Sequence, residues 1–164
     1  MPKSSRRVIL LGEGDTEKKV LNALGVIGLF KQFNIWEKDI FKLFPSLGGA
    51  ELWLYVDTDK ADNEQEFIRF ANNIAILKKS RLIFKVYLQV RHLEDELARA
   101  CKRCIYQGFD IAKGSSELKD KIIECRNLER KLLDLQIDKT KLWQQSHAKC
   151  DEFVKIYRSP KVVV

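Results

Sequence analysis

The residues of this sequence whose types and spacing could do chemistry are carboxylates placed directly after apolar runs. Val8-Ile9-Leu10-Leu11 leads to Glu13, Leu52-Trp53-Leu54-Tyr55-Val56 leads to Asp57 and Asp59, and the run ending at Val90 leads to Glu94. Asp57 and Asp59 are two apart, so on an extended chain their side chains leave on the same side. Glu13 and Glu17 flank a strand-to-helix turn at Gly12 and Gly14, and a tight turn brings both toward one point. Several carboxylates gathered without a counter-charge repel and raise one another's pKa values, so a cation is expected among them. Hard oxygen ligands on short strand ends suit Mg²⁺ or Mn²⁺, which keep waters for a phosphate to replace. The expected metal ligands are therefore Glu13, Glu17, Asp57, Asp59 and Glu94. Singly, each acid has a plainer reading: Glu17 complements a helix N-terminus, and Asp57-Thr58-Asp59 is ordinary turn chemistry. Their repetition at successive strand ends is what carries the metal expectation.

These acids need elements to position them. Apolar runs at 8–11, 40–44, 52–56 and 82–90 read as strands, alternating with helical patterns over 17–30 and 63–78. Continuous apolar runs mark parallel strands covered on both faces. The expected fold class is α/β: a Rossmann-like, mostly parallel sheet of about four strands flanked by helices, with a helical C-terminal region. In such sheets ligands bind outside the carboxyl ends of the strands, where the strand order reverses. Beyond Val90 the pattern predicts a helix over 93–104, a break at Gly108 and Gly114, and a helix from Ser115 or Ser116 to about Leu135. The apolar stripe of that helix is Leu118, Ile122, Leu128, Leu132 and Leu135. A last helix is predicted over 139–157, with Val162-Val163-Val164 as a tail or late edge strand. The 164 residues fit one domain, with a core over about 6–100 and a helical extension of the same domain over about 101–164.

Composition narrows the partners. Hydrophobic residues at 45% and charged residues at 32% describe a folding chain rather than a disordered one. No window reaches the ~20 continuous apolar residues of a membrane span, and Met1 to Arg7 lacks a signal peptide's apolar stretch, so a cytoplasmic protein is expected. The net charge of +7 suits an anionic partner such as nucleic acid, and the last third of the chain is rich in Lys and Arg. Cys101-x-x-Cys104 with His147-x-x-Cys150 has the ligand types for zinc, although buried free thiols are the commoner reason for such residues on helices. Trp36, Trp53 and Trp143 read as core or interface residues. The Gly48-Gly49 pair reads either as a turn or as a place for a phosphate backbone to come close.

At Gly12-Glu13-Gly14-Asp15-Thr16-Glu17, followed later by Val56-Asp57-Thr58-Asp59, the sequence resembles TOPRIM domains, the metal-binding folds of topoisomerases, primases and small nucleases. The resemblance implies a TOPRIM-like fold with a glutamate after the first strand and an Asp-x-Asp pair after the third. Glu13 matches the first element, and Asp57 with Asp59 the second. Glu17 and Leu93-Glu94-Asp95-Glu96-Leu97 look more like the overcoming-lysogenisation-defect nucleases and their small stand-alone relatives in bacterial anti-phage defence. There a further glutamate completes a two-metal site and a downstream lysine assists. Glu94 is the candidate for the glutamate, with Asp95 or Glu96 as substitutes in another helix register. Lys113, Lys119 and Lys121 are candidates for the lysine, and Lys121 is preferred.

The resemblance covers about residues 6–100, and Asp57-Thr58-Asp59-Lys60 departs from the Asp-x-Asp-x-x-Gly-Glu pattern of maturation nucleases and primases. The implied function is a Mg²⁺-dependent nuclease acting on DNA or RNA, with Glu13, Asp57, Asp59 and Lys121 catalytic. The resemblance further implies an effector of antiviral defence working with a separately encoded ATPase; this chain has no Gly-x-x-x-x-Gly-Lys-Ser/Thr loop, so any ATPase activity is expected from that partner, and a homo-oligomer is a further expectation. The alternative is a non-catalytic TOPRIM-like module that docks to a protein or nucleic acid. A receiver-type phosphoacceptor fits poorly, because Lys85 falls inside its predicted strand.

Overall fold

The computed structural model describes residues 6–153. Four strands, β1 (Val8–Gly12), β2 (Leu29–Gln32), β3 (Glu51–Asp57) and β4 (Phe84–Gln89), form one sheet in the order β2-β1-β3-β4. Every neighbouring pair is parallel. The architecture is α/β and Rossmann-like, as the continuous apolar runs predict.

Helix α1 (Asp15–Ala23) links β1 to β2, and α3 (Glu64–Lys79) links β3 to β4. These two connections step to opposite sides of the β1–β3 pair, and right-handed crossovers then place their helices on opposite faces. The two cores show the result. On one face Ile9, Leu11, Leu52, Leu54, Val56, Val86 and Leu88 pack with Phe70, Ile74 and Leu77 of α3. On the other, Leu10, Tyr55 and Tyr87 pack with Val20, Leu21 and Leu24 of α1 and with the C-terminal helices. Strand alternation assigns Asp57 and Gln89 to this second face, one step beyond Tyr55 and Tyr87.

The sequence places several boundaries differently. The helix predicted to continue to Phe30 stops at Ala23, because Gly25 adopts φ 75° and turns the chain, with Val26 N–H closing on the Leu21 carbonyl at 3.0 Å. The released segment Leu29–Gln32 becomes the edge strand. The strand predicted over 40–44 is instead a 3-10 helix, Ile40–Leu43, running into the short α2 (Phe44–Leu47). Asp39 caps it through the Phe41 N–H, and Pro45 sits in the first turn of α2. Gly48 and Gly49, both at positive φ, then turn the chain into the N-terminal end of β3. That end is a strand length away from Asp57, so the pair serves as a turn and not as a phosphate approach.

The helix predicted over 93–104 is α4 (Leu93–Ala100), which ends where Cys101 becomes extended and bridges Ile137; α5 (Ile105–Gly108) follows. The helix predicted to Leu135 divides into α6 (Leu118–Glu124) and α7 (Leu128–Asp134), the second capped by Asn127. All five residues of its predicted stripe are buried. In place of one last helix there is a 3-10 turn, Lys139–Lys141, and α8 (Ala148–Asp151). The rest of that helix, and the segment 162–164, lie outside the described residues. Cys101 belongs to one core and Cys150 to the other, on opposite faces of the sheet, so the four-residue zinc reading is not supported. Trp36 and Trp143 are buried, as expected of core residues. Among the described residues no helix is long and apolar enough to cross a membrane.

The C-terminal layer is fastened to the sheet by Glu96, which is 0% exposed. Its carboxylate accepts from Val90 N–H at 3.2 Å, Trp143 N–H at 2.9 Å and Arg99 Nη2 at 2.7 Å. Glu96→Ala strands two backbone donors and the Arg99 charge. We expect a loss of about 3–5 kcal/mol in urea unfolding, with the layer around Trp143 loosening first by hydrogen exchange.

Candidate functional site

The strand order reverses between β1 and β3, and the crevice outside their carboxyl ends holds a cavity of about 530 Å³. Its floor is acidic. Glu13 follows β1, Asp57 ends β3, Glu17 lies in the first turn of α1 and Glu94 in the first turn of α4, and all four line this one cavity. The opposite wall comes from the C-terminal layer, with Tyr106, Ser115, Ser116 and Lys119.

Local sequence explains each placement. Gly14 is the extended residue before α1, and Glu17 Oε2 reaches back to accept from its N–H at 3.1 Å. Gly12 leaves room for this fold-back: a Cβ there would lie 2.9 Å from the Glu17 Cβ. The capping reading of Glu17 and its place on the cavity floor therefore hold together. Asp57 is clamped through main chain and side chain. Its carbonyl accepts from the Trp36 indole at 2.8 Å, and Oδ1 accepts from Gln89 Nε2 at 2.6 Å. Asp59 is exposed and is not among the residues lining the cavity; its Oδ2 lies 3.4 Å from Nε2 of His92, which does line it, and His92 Nδ1 is in turn 3.4 Å from Asp95 Oδ2. The turn that presents His92 passes through Arg91 at φ 67°, held by its N–H on Thr58 Oγ1 at 2.8 Å.

The electrostatics are those of negative charge in excess. Burial, then the charges of Glu17 and Glu13, push Asp57 up to about 9, with Gln89 opposing. Burial pushes Glu13 up to about 7; Lys60 opposes it, and Asp59 and Glu17 add to it. Burial also raises Glu17, which Lys119 pulls down and Glu94 pushes up. Glu13 Oε1 is buried and has no hydrogen-bond partner among the described residues. An orphaned carboxylate oxygen among like charges fits a hard cation such as Mg²⁺ or Mn²⁺. Among the described residues, however, no three His, Cys, Asp or Glu side chains are already drawn together tightly enough to hold a metal ion. The acids share a cavity without converging on a point.

Of the three candidate lysines, Lys119 lines the cavity. Lys121, the preferred candidate, projects to a separate shallow pocket beside Lys131, two positions along α6 and so on another face of that helix. Lys113 is not among the lining residues, although its neighbour Gly114 is. Glu96 is turned away into the core, which leaves Glu94 and Asp95 at the cavity. Sequence reasoning passed over Asn34, Lys60 and Gln89. Asn34 lines the cavity just after β2, the strand hidden by the longer predicted helix. Lys60 directly follows Asp59 and pairs with Glu37 at 2.5 Å. Gln89 ends an apolar run in which an amide breaks the pattern, and that was the available signal.

A buried acid with a raised folded pKa keeps its proton after the unfolded chain has lost it, so the stability that Glu13 and Asp57 contribute to the metal-free protein is full below about pH 4 and is lost as pH rises through 7 to 9. Urea midpoints at pH 5, 7 and 9 should decline in that order. Asp57→Asn should flatten most of the slope, and millimolar Mg²⁺ or Mn²⁺ should restore stability at the alkaline end.

Comparisons with protein-family models, curated proteins and solved structures return no match. Function is to be read from the cavity's own chemistry.

Proposed function

We propose that the protein is a Mg²⁺- or Mn²⁺-dependent nuclease that hydrolyses phosphodiester bonds of DNA or RNA, in the manner of small TOPRIM-type nucleases. The observation that carries this reading is the set of carboxylates from three successive strand ends lining one cavity, with a lysine on the facing wall. Glu13 immediately after the first strand and Asp57-Thr58-Asp59 at the end of the third is also the order that the TOPRIM resemblance calls for.

Glu13, Asp57, Glu17 and Glu94 would hold the metal, with Asp59 outside the cavity lining. Bound metal supplies charge neutralisation and a water acidic enough to attack a phosphodiester near neutral pH. Glu13, which burial raises to about 7 in the metal-free protein, would serve as a general base toward an attacking water. Lys119, on the facing wall, would supply an ammonium for the negative charge that builds on phosphoryl oxygens. Ser115 and Ser116 offer hydroxyls to the substrate backbone on the same wall. The net charge of +7 supports a polyanionic substrate. An anti-phage role with a separately encoded ATPase follows from the resemblance alone.

A second reading is favoured by the absence, among the described residues, of a ready-made three-ligand cluster: a docking module on the same fold, without catalysis. Purified protein incubated with circular DNA and structured RNA separates the two. The nuclease reading expects Mg²⁺- or Mn²⁺-dependent cleavage that Glu13→Ala and Asp57→Ala abolish, that Lys119→Ala lowers by about a hundredfold or more, and that Lys121→Ala leaves intact. No cleavage under any condition, with or without an added ATPase partner, and with both variants folded and still binding a partner, favours the docking module.

A further inference from the structure

We propose that Gln89 is the positioning residue for Asp57: supported by the Trp143 indole, its amide fixes one carboxylate oxygen of Asp57 and leaves the other to the cavity. This rests on the reading of the cavity as a metal site. Gln89 is 1% exposed and stands directly opposite Asp57 in the β3–β4 register, on the same face of the sheet. Its Nε2 donates to Asp57 Oδ1 at 2.6 Å, and its Oε1 accepts from Trp143 Nε1 at 3.5 Å.

The 2.6 Å bond turns the nitrogen end of the amide toward the carboxylate, and the indole N–H, which can only donate, faces and supports the oxygen end. Trp143 is itself held fast. Its backbone N–H bonds to Glu96 Oε2 at 2.9 Å, and its ring packs against Tyr55 and Tyr87 at centroid distances of 5.2 and 6.1 Å. Tyr55 and Tyr87 stack on each other one step below the Asp57–Gln89 pair. Continuing that aromatic layer needs only an apolar residue at position 89. An amide there is explained by the carboxylate opposite it, which requires a donor and tolerates no added charge. With Oδ1 committed to Gln89, Oδ2 is the ligand oxygen, aimed from a side chain that cannot rotate freely.

The test is Mn²⁺ binding, followed by electron paramagnetic resonance and calorimetry, for the wild type, Q89M, Q89E and W143F, each first shown to be folded by circular dichroism. Q89M, of similar volume and without a donor, should weaken Mn²⁺ by about tenfold to a hundredfold. Q89E should weaken it further, and W143F should weaken it while leaving the amide in place. The D57N/Q89E double variant reverses the polarity of the pair. It should recover the thermal stability lost by Q89E, which reports the paired hydrogen bond, while the loss of Mn²⁺ binding in folded Q89M, with Asp57 intact, reports the positioning. Wild-type affinity in Q89M and Q89E, or failure of the double variant to regain stability, overturns the positioning role alone. A wild type that binds no Mn²⁺ overturns the metal reading of the cavity and the positioning role with it.

Discussion

The direct pairing of β1 with β3 is the constraint on which the rest of the molecule depends. With no strand between them, the crossovers leaving these two strands diverge to opposite faces, and α1 and α3 cannot close over the carboxyl ends. A crevice is therefore a consequence of topology before any functional residue is considered. The sheet needs apolar side chains on both faces to fill its two cores, and this confines polar chemistry to the strand ends. Glu13 and Asp57 stand where those hydrophobic demands stop.

Concentrating acids in that crevice has an electrostatic cost that the protein only partly offsets. Gln89 and the Gly14 N–H each donate to one carboxylate oxygen, and Lys60 and Lys119 act from the edge. Asp57 and Glu13 nevertheless remain well above the usual carboxylate range. Such shifted carboxyls fit the cation site proposed for the cavity.

The acid positions were legible in the sequence because they depend on strand termini, and strand termini follow from where apolar runs end. Asp57, Glu13 and Glu94 could be placed that way to within a turn. The edge strand Leu29–Gln32 was hidden, since its four residues continue the helical periodicity of α1 and only the left-handed Gly25 separates them. Ile40–Phe44 misled in the opposite sense, because a capped 3-10 turn with a following proline has the apolar density of a buried strand. Choosing among lysines of one helix needed the helix's start and rotation, which one shifted cap changes. The Gln89–Trp143 link joins residues 54 apart in sequence, and no local pattern announces it.

The two sides of the cavity come from different parts of the chain. The acidic floor belongs largely to strand ends locked by the sheet, whereas the facing wall, from Tyr106 to Lys119, belongs to loops and short helices packed on α1 and α4. Substitutions, insertions or deletions in the wall can alter what fits the cavity while the floor keeps its chemistry. A nuclease of the proposed kind could therefore vary its targets at wall positions other than Lys119 while the strand ends keep the acids in place.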